Sequence, residues 1–183
     1  GISIAGGGGN TIANNYIGTD ATGMLDRGNG LSGVSIDNSA GNTIGGATPA
    51  QGNVISGNAM DGVSLNGPGA TGNVVAGHLI GLNAAGTAAI PNDTGVDFGG
   101  SNDTLGGDTA GERNVISGNT LQGVVINGEA ADGNIIEGNY IGTDITGTLD
   151  RGNGSTGISV SAGADNARIG GIGVGNLISG NFF

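Results

Sequence analysis

The residues best equipped for chemistry lie in two nearly identical loops, Gly18-Thr-Asp20-Ala-Thr-Gly-Met-Leu-Asp26-Arg27 and Gly142-Thr-Asp144-Ile-Thr-Gly-Thr-Leu-Asp150-Arg151. Each sets two carboxylates among Thr hydroxyls and backbone carbonyls, which is the oxygen-rich environment that hard cations take. Asp20, Asp26, Asp144 and Asp150 are therefore the candidate metal ligands, and Ca²⁺ is the one cofactor they suggest. Their spacing is not that of an EF-hand or of a Gly-Gly-x-Gly-x-Asp site. The middle copy of the loop places Asn83 where Asp20 stands. Asp and Thr also form turns by bonding their own backbone, and this second account of the same residues stays open.

His78 is the only histidine and stands where other copies have Asn15 and Asn139. Without an acid beside it in the repeat, it reads as a substitute for asparagine rather than as a general base. Four acids, Asp97, Asp103, Asp108 and Glu112, fall in one stretch of the middle of the chain. Should Asp97, Asp103 and Glu112 converge in one groove, with Asp37 and Glu129 nearby, they are placed for acid/base work on a polysaccharide. Spread over several faces, they are a solvated acidic surface that keeps a stacking protein soluble. Asp97 sits between Val96 and Phe98, so alternation points it outward. Tyr16 and Tyr140 suit stacking on sugar rings, or else cover a coil edge.

The elements that must position these residues form a repeat. Gly followed by alternating aliphatics recurs at Gly1, Gly33, Gly62, Gly95, Gly123 and Gly157. The intervals of 32, 29, 33, 28 and 34 residues pair into units of 61 or 62. The whole chain, 1–183, then reads as one domain of three double units, 1–61, 62–122 and 123–183. A second motif, Asn-x-aliphatic, recurs at Asn10, Asn42, Asn53, Asn73, Asn114, Asn134 and Asn176, with Asn102 and Asn166 as variants one residue longer. Alternation at period two marks strands, and no segment sustains helical spacing. Strands of three to five residues, three per rung of about 30, predict an all-β parallel β-helix of about six rungs, in which each rung buries its apolar face on the next. The recurrent Asn fits stacked ladders at the corners, and Gly supplies the corner bends.

The run from Asn42-Thr-Ile-Gly-Gly through Arg113-Asn-Val-Ile-Ser-Gly-Asn119 to Gly138-Asn-Tyr-Ile-Gly-Thr-Asp-Ile-Thr-Gly147 resembles the right-handed parallel β-helix repeats of very large bacterial secreted and surface proteins, of the pectin-lyase-like superfamily. The resemblance covers essentially the whole chain. It implies a right-handed single-stranded solenoid and an extracellular or cell-surface setting. It implies activity only weakly, because the fold hosts many functions. The signatures of the pectate lyases, polygalacturonases and alginate epimerases are not found: there is no Asp-Pro-His, no Arg-Ile-Lys and no Gly-His-Gly.

Composition narrows the partners. Of 183 residues 44 are Gly, there is no Cys and no Lys, and the net charge is −11 with four scattered Arg. A disulfide-stapled or cysteine-ligated domain is excluded, and nucleic acid is a poor partner for such a charge. No apolar run reaches the ~20 residues of a membrane helix. The chain starts within the pattern at Gly1 and stops at Asn181-Phe-Phe183 without a polar cap at either end. A section of a longer repetitive protein, or a subunit stacking end to end, is expected on this ground. The function expected is a structural or adhesive solenoid of a stalk, fibre or surface layer, with self-association or polysaccharide as partner. A carbohydrate-active enzyme or polysaccharide-binding module is the alternative.

Overall fold

Each Gly-initiated alternation becomes the first strand of a rung. In the computed structural model, which describes residues 1–183, rung 1 holds β1 (Ile2–Ala5), β2 (Thr11–Ile12) and β3 (Tyr16–Ile17). Rung 2 holds β4 (Val34–Asp37), β5 (Thr43–Gly45) and β6 (Val54–Ile55). Rung 3 holds β7 (Val63–Asn66), β8 (Val74–Ala76) and β9 (Leu79–Ile80), and rung 4 holds β10 (Val96–Phe98), β11 (Thr104–Gly106) and β12 (Val115–Ile116). Rung 5 holds β13 (Val124–Asn127), β14 (Ile135–Glu137) and β15 (Tyr140–Ile141). Rung 6 closes with β16 (Ile158–Ser161), β17 (Arg168–Ile169) and β18 (Leu177–Ile178).

The first, second and third strands of the six rungs form three six-stranded sheets. Every neighbouring pair is parallel and in repeat register, as in Val34 opposite Val63 and Ile55 opposite Ile80. The protein is a parallel β-solenoid of six rungs. Third-sheet strands have two residues each, shorter than the three to five the pattern predicts, while four of the six second-sheet strands have three. Gly18, Gly81 and Gly142, directly after the third strands of odd rungs, take φ of 86°, 87° and 95°. A Cβ there would also strike the Ser56, Ser117 or Ser179 carbonyl of the next rung, so no other residue fits.

Inward side chains stack like on like. Ile17, Ile55, Ile80, Ile116 and Ile141 form one buried column, and Val34, Val63, Val96 and Val124 form another at 0% exposure. Twenty buried side chains make one continuous core, its Val, Ile, Leu and Phe each contributing about 1.5–3 kcal/mol by burial. No rung encloses this core alone, so its stability is shared between neighbours.

Polar ladders hold the corners. After the third sheet, Asn29, Asn58, Asn92, Asn119, Asn153 and Asn181 pass an Nδ2–H···Oδ1 bond from rung to rung at 2.7–3.1 Å. Each receiving Oδ1 also accepts the backbone N–H of the Asn before it, as Asn92 Oδ1 does from Asn58 at 3.0 Å. The remaining Nδ2 hydrogen of Asn92 goes to the Ile55 carbonyl at 2.9 Å. Every polar atom of such an amide is thereby satisfied in a dry corner, where leaving one unpaired costs about 1–3 kcal/mol. A second ladder precedes the third sheet (Asn15, Asn53, His78, Asn114, Asn139, Asn176), and a third precedes the second sheet (Asn10, Asn42, Asn73, Asp103, Asn134).

Candidate functional site

The solenoid carries two grooves of opposite character. The first has a volume of about 420 Å³ and runs along the outer face of the third sheet. Strands of this sheet begin with an outward apolar residue and end with an inward Ile, so Tyr16, Val54, Leu79 and Val115 make the floor. Long loops supply the walls. Odd-rung loops lean on one another across two rungs, with Ala84 N–H donating to Gly23 O at 2.8 Å and Ile145 N–H to Gly86 O at 3.1 Å. Even-rung loops contribute Pro49, Ala110 and Gly111 on the other side. The groove contains no acidic residue. Its cation is Arg113, whose guanidinium carbon lies 4.1 Å from the Tyr140 ring centre while Nε donates to Gly138 O at 3.1 Å. Tyr16 is 53% exposed. A neutral ring with an apolar face fits a surface that offers the exposed Tyr16 ring above an apolar floor.

The second groove, about 600 Å³, lies on the outer face of the first sheet. Serines from successive rungs, Ser3, Ser35 and Ser64, line it beside Asp37, Asp61 and Asp97. Burial pushes Asp97 up to about 6, and the Asp61 charge adds to this. Asn127 Nδ2 opposes the shift by donating to Asp97 Oδ1 at 2.8 Å. Burial also raises Asp61, against hydrogen bonds from Ser32 and Ser64. A carboxyl protonated near pH 6 beside a second carboxyl is the raw material of acid/base chemistry.

This grouping is not the one the sequence suggests. Asp97 faces outward as expected, but Asp103 is buried in a corner ladder at 0% exposure. Glu112 sits in the loop between the second and third sheets and accepts the Thr109 N–H and hydroxyl at 3.0 and 2.8 Å. Asp97, Asp103 and Glu112 therefore do not converge in one groove. Asp37 lines the groove with Asp97 as expected, and Asp61, which the repeat pattern left unmarked, is the acid whose charge acts on Asp97. The register could have exposed it, since Asp61 precedes Gly62 as Ser32 precedes Gly33.

In the long loops the carboxylates serve their own turns. Asp20 Oδ1 accepts the N–H of Met24 at 2.9 Å and of Leu25 at 3.1 Å, and the Thr22 hydroxyl bonds both oxygens. The Leu25 N–H is the main reason Asp20 sits below the ordinary carboxylate range. Asp144 repeats the arrangement with Thr148, Leu149 and Thr146. Asn83 does the same for the middle loop through Thr87 and Ala88, so the turn forms without a charge. Asp26 and Asp150 each accept an N–H two residues on, from Gly28 and Gly152. No three His, Cys, Asp or Glu side chains gather in a metal-binding group. A cation at Asp20, Asp26, Asp144 or Asp150 has to compete with these N–H donors.

His78 takes its place in the second ladder. Nδ1 accepts the Asn53 N–H at 2.9 Å, which leaves the proton on Nε2 to bond the Ile44 carbonyl at 3.0 Å. Burial lowers it to about 4. In the ladder that precedes the second sheet, Asp103 rather than Asn102 occupies the slot, and Asn102 lies outside it at φ 56°. The same shift applies to Asn166 at φ 57°. Comparison with protein-family models, with curated proteins and with solved structures finds no match to this chain.

Proposed function

We propose that the chain is a structural β-solenoid segment of an extracellular stalk, fibre or surface layer, acting by rigid display and self-association rather than by catalysis. The observation that carries this reading is the uninterrupted register: three sheets and two corner ladders run from rung 1 to rung 6 without a break. Each rung is thus a template for another of its own kind, with edge backbone and apolar columns ready to be extended. The repeat phrase adds support for a right-handed, pectin-lyase-like kinship and for a cell-surface setting. Two copies of residues 1–183 joined in register test it. The fusion is expected to melt in one transition and to scatter as a single rod of about 58 Å, twelve rungs at ~4.8 Å each. Two independent bodies in small-angle scattering would refute it.

A second reading, a polysaccharide-binding module, is favoured by Tyr16 and Arg113 on the third-sheet groove. Neutral oligosaccharides titrated against tyrosine fluorescence are expected to bind there, and Tyr16→Ala to weaken them about tenfold. Binding unchanged by Tyr16→Ala removes the groove from consideration.

A further inference from the structure

Asp103 is a member of an asparagine ladder that lacks the amide's donor. Its Oδ1 behaves as an asparagine Oδ1, accepting the Asn73 N–H at 2.7 Å and Asn73 Nδ2–H at 2.9 Å. Its own N–H donates to Asn134 Oδ1 at 2.8 Å, again as in the ladder. At neighbouring steps that receiving Oδ1 also takes an Nδ2–H from below, as Asn73 Oδ1 does from Asn42 at 2.8 Å. At Asp103 the Nδ2 place is held by Oδ2, which is buried and has no hydrogen-bond partner. Two acceptor oxygens, Asp103 Oδ2 and Asn134 Oδ1, therefore meet at the step from rung 4 to rung 5.

Turning the Asn134 amide over does not relieve this. Its Nδ2 donates to Gly100 O at 2.9 Å and Ala131 O at 3.0 Å. The flipped amide would face both carbonyls with oxygen and the Asp103 N–H with nitrogen. A proton on Oδ2 resolves the contact, since a neutral carboxyl has one O–H donor. We propose that Asp103 is a proton-operated joint of the solenoid: neutral, its Oδ2–H completes the ladder to Asn134, and ionised, it opens the corner between rungs 4 and 5. Burial independently favours the neutral form, pushing Asp103 up to about 6.

Other ionisable groups lie on the elements around the joint. Asp132 Oδ1 accepts the Asp165 N–H at 2.7 Å in the turns of rungs 5 and 6. Glu137 on β14 pairs with Arg168 at 2.8 Å. Asp97 on β10 bonds Asn127 on the outer face. Asp108 lies in the loop after β11.

The sign follows from linkage. A carboxyl raised in the fold contributes stability that is full below the unfolded value near 4 and is lost as pH rises through about 6. Asp103→Asn restores the amide and removes the titration. The ratio of folding constants, Asp103→Asn over the unchanged chain, is expected to climb about 100-fold from pH 4 to pH 8. Taking this ratio cancels groups common to both chains, and Asp97→Asn in both backgrounds should leave it as it is. Carboxyl ¹³C shifts should titrate Asp103 near pH 6. Hydrogen exchange, corrected for intrinsic rates, should quicken at Asp103 and Ile135 above that pH in the unchanged chain only. A ratio flat across the range, or a carboxyl ionised at pH 4.5, would overturn the proposal.

Discussion

His78 and Asp103 answer the same structural demand in two corners of one solenoid, and they answer it differently. Both replace a ladder asparagine, and both are closed to solvent, at 1% and 0% exposure. The imidazole supplies one acceptor and one donor, and its slot uses both, toward Asn53 N–H and the Ile44 carbonyl. That carbonyl belongs to the row Asn114 uses when Nδ2 donates to Val75 O at 2.9 Å. The carboxylate supplies acceptors only, so one of its oxygens is orphaned. A ladder corner thus requires a pattern of donors and acceptors rather than an amide as such. Which proton count meets the pattern depends on the side chain: neutral imidazole in one corner, neutral carboxyl in the other.

The largest test removes the pattern and keeps the bulk. His78→Leu leaves the Asn53 N–H buried without its acceptor and takes the imidazole donor from the Ile44 carbonyl, and should cost up to about 4 kcal/mol in denaturant unfolding. His78→Asn restores the ladder's own residue and should cost no more than about 1 kcal/mol, the remainder being lost ring packing. Equal losses in the two variants would mean that the imidazole acts as filler, and the comparison with Asp103 would collapse.

Next in size is the dependence on pH, where the two corners oppose each other. His78 is lowered in the fold to about 4, by burial. Its contribution is therefore full above the unfolded value near 6.5 and is lost as pH falls toward 4, by up to about 3 kcal/mol. Asp103 runs the other way over the same interval, and Asp97, raised to about 6, runs with it. Thermal melts of the unchanged chain should fall as pH rises from 4 to 7, because the two raised carboxyls outweigh the one histidine. His78→Asn should fall more steeply, and Asp103→Asn should be nearly level, with Asp97 and His78 offsetting each other. Parallel curves for the two variants would show that neither corner senses protons.

How much of this was legible in the sequence depends on whether a feature repeats at one fixed offset. The Gly-aliphatic alternation does, so six rungs, three strands per rung and the inward columns follow from it. His78 does too, standing in the slot of Asn15 and Asn139. Half of one ladder escaped because Asn29, Asn92 and Asn153 lie inside long loops, although Asn29 precedes Gly33 by the same four residues as Asn58 precedes Gly62. The third-sheet groove was not readable at all. Its walls depend on loops meeting across two rungs, as Gly23 meets Ala84, and contacts between loops of different rungs leave no period in the chain. The turn role of Asp20 was one of two open accounts, and the Leu25 and Met24 N–H groups are what bear on it.

The smallest expected effect decides which residue holds the slot that makes Asp103 comparable with His78 at all. By motif, Asn102 looks like the ladder residue with an insertion after it. In the fold it sits one place earlier, exposed, at φ 56°, with Nδ2 on the Ser101 hydroxyl at 3.3 Å. Positive φ favours Gly and Asn and penalises other L residues by about 1–2 kcal/mol. Asn102→Gly should therefore leave stability within about 0.5 kcal/mol, and Asn102→Ala should lower it by about 1 kcal/mol. Were Asn102 the true ladder member, glycine would be the worse of the two, because it deletes a buried amide and adds backbone freedom. The order of the two variants in a urea titration separates the cases even when both effects are small. Glycine tolerated and alanine penalised identifies a turn, and it leaves the buried carboxyl of Asp103 as the group that Asn73 and Asn134 must satisfy.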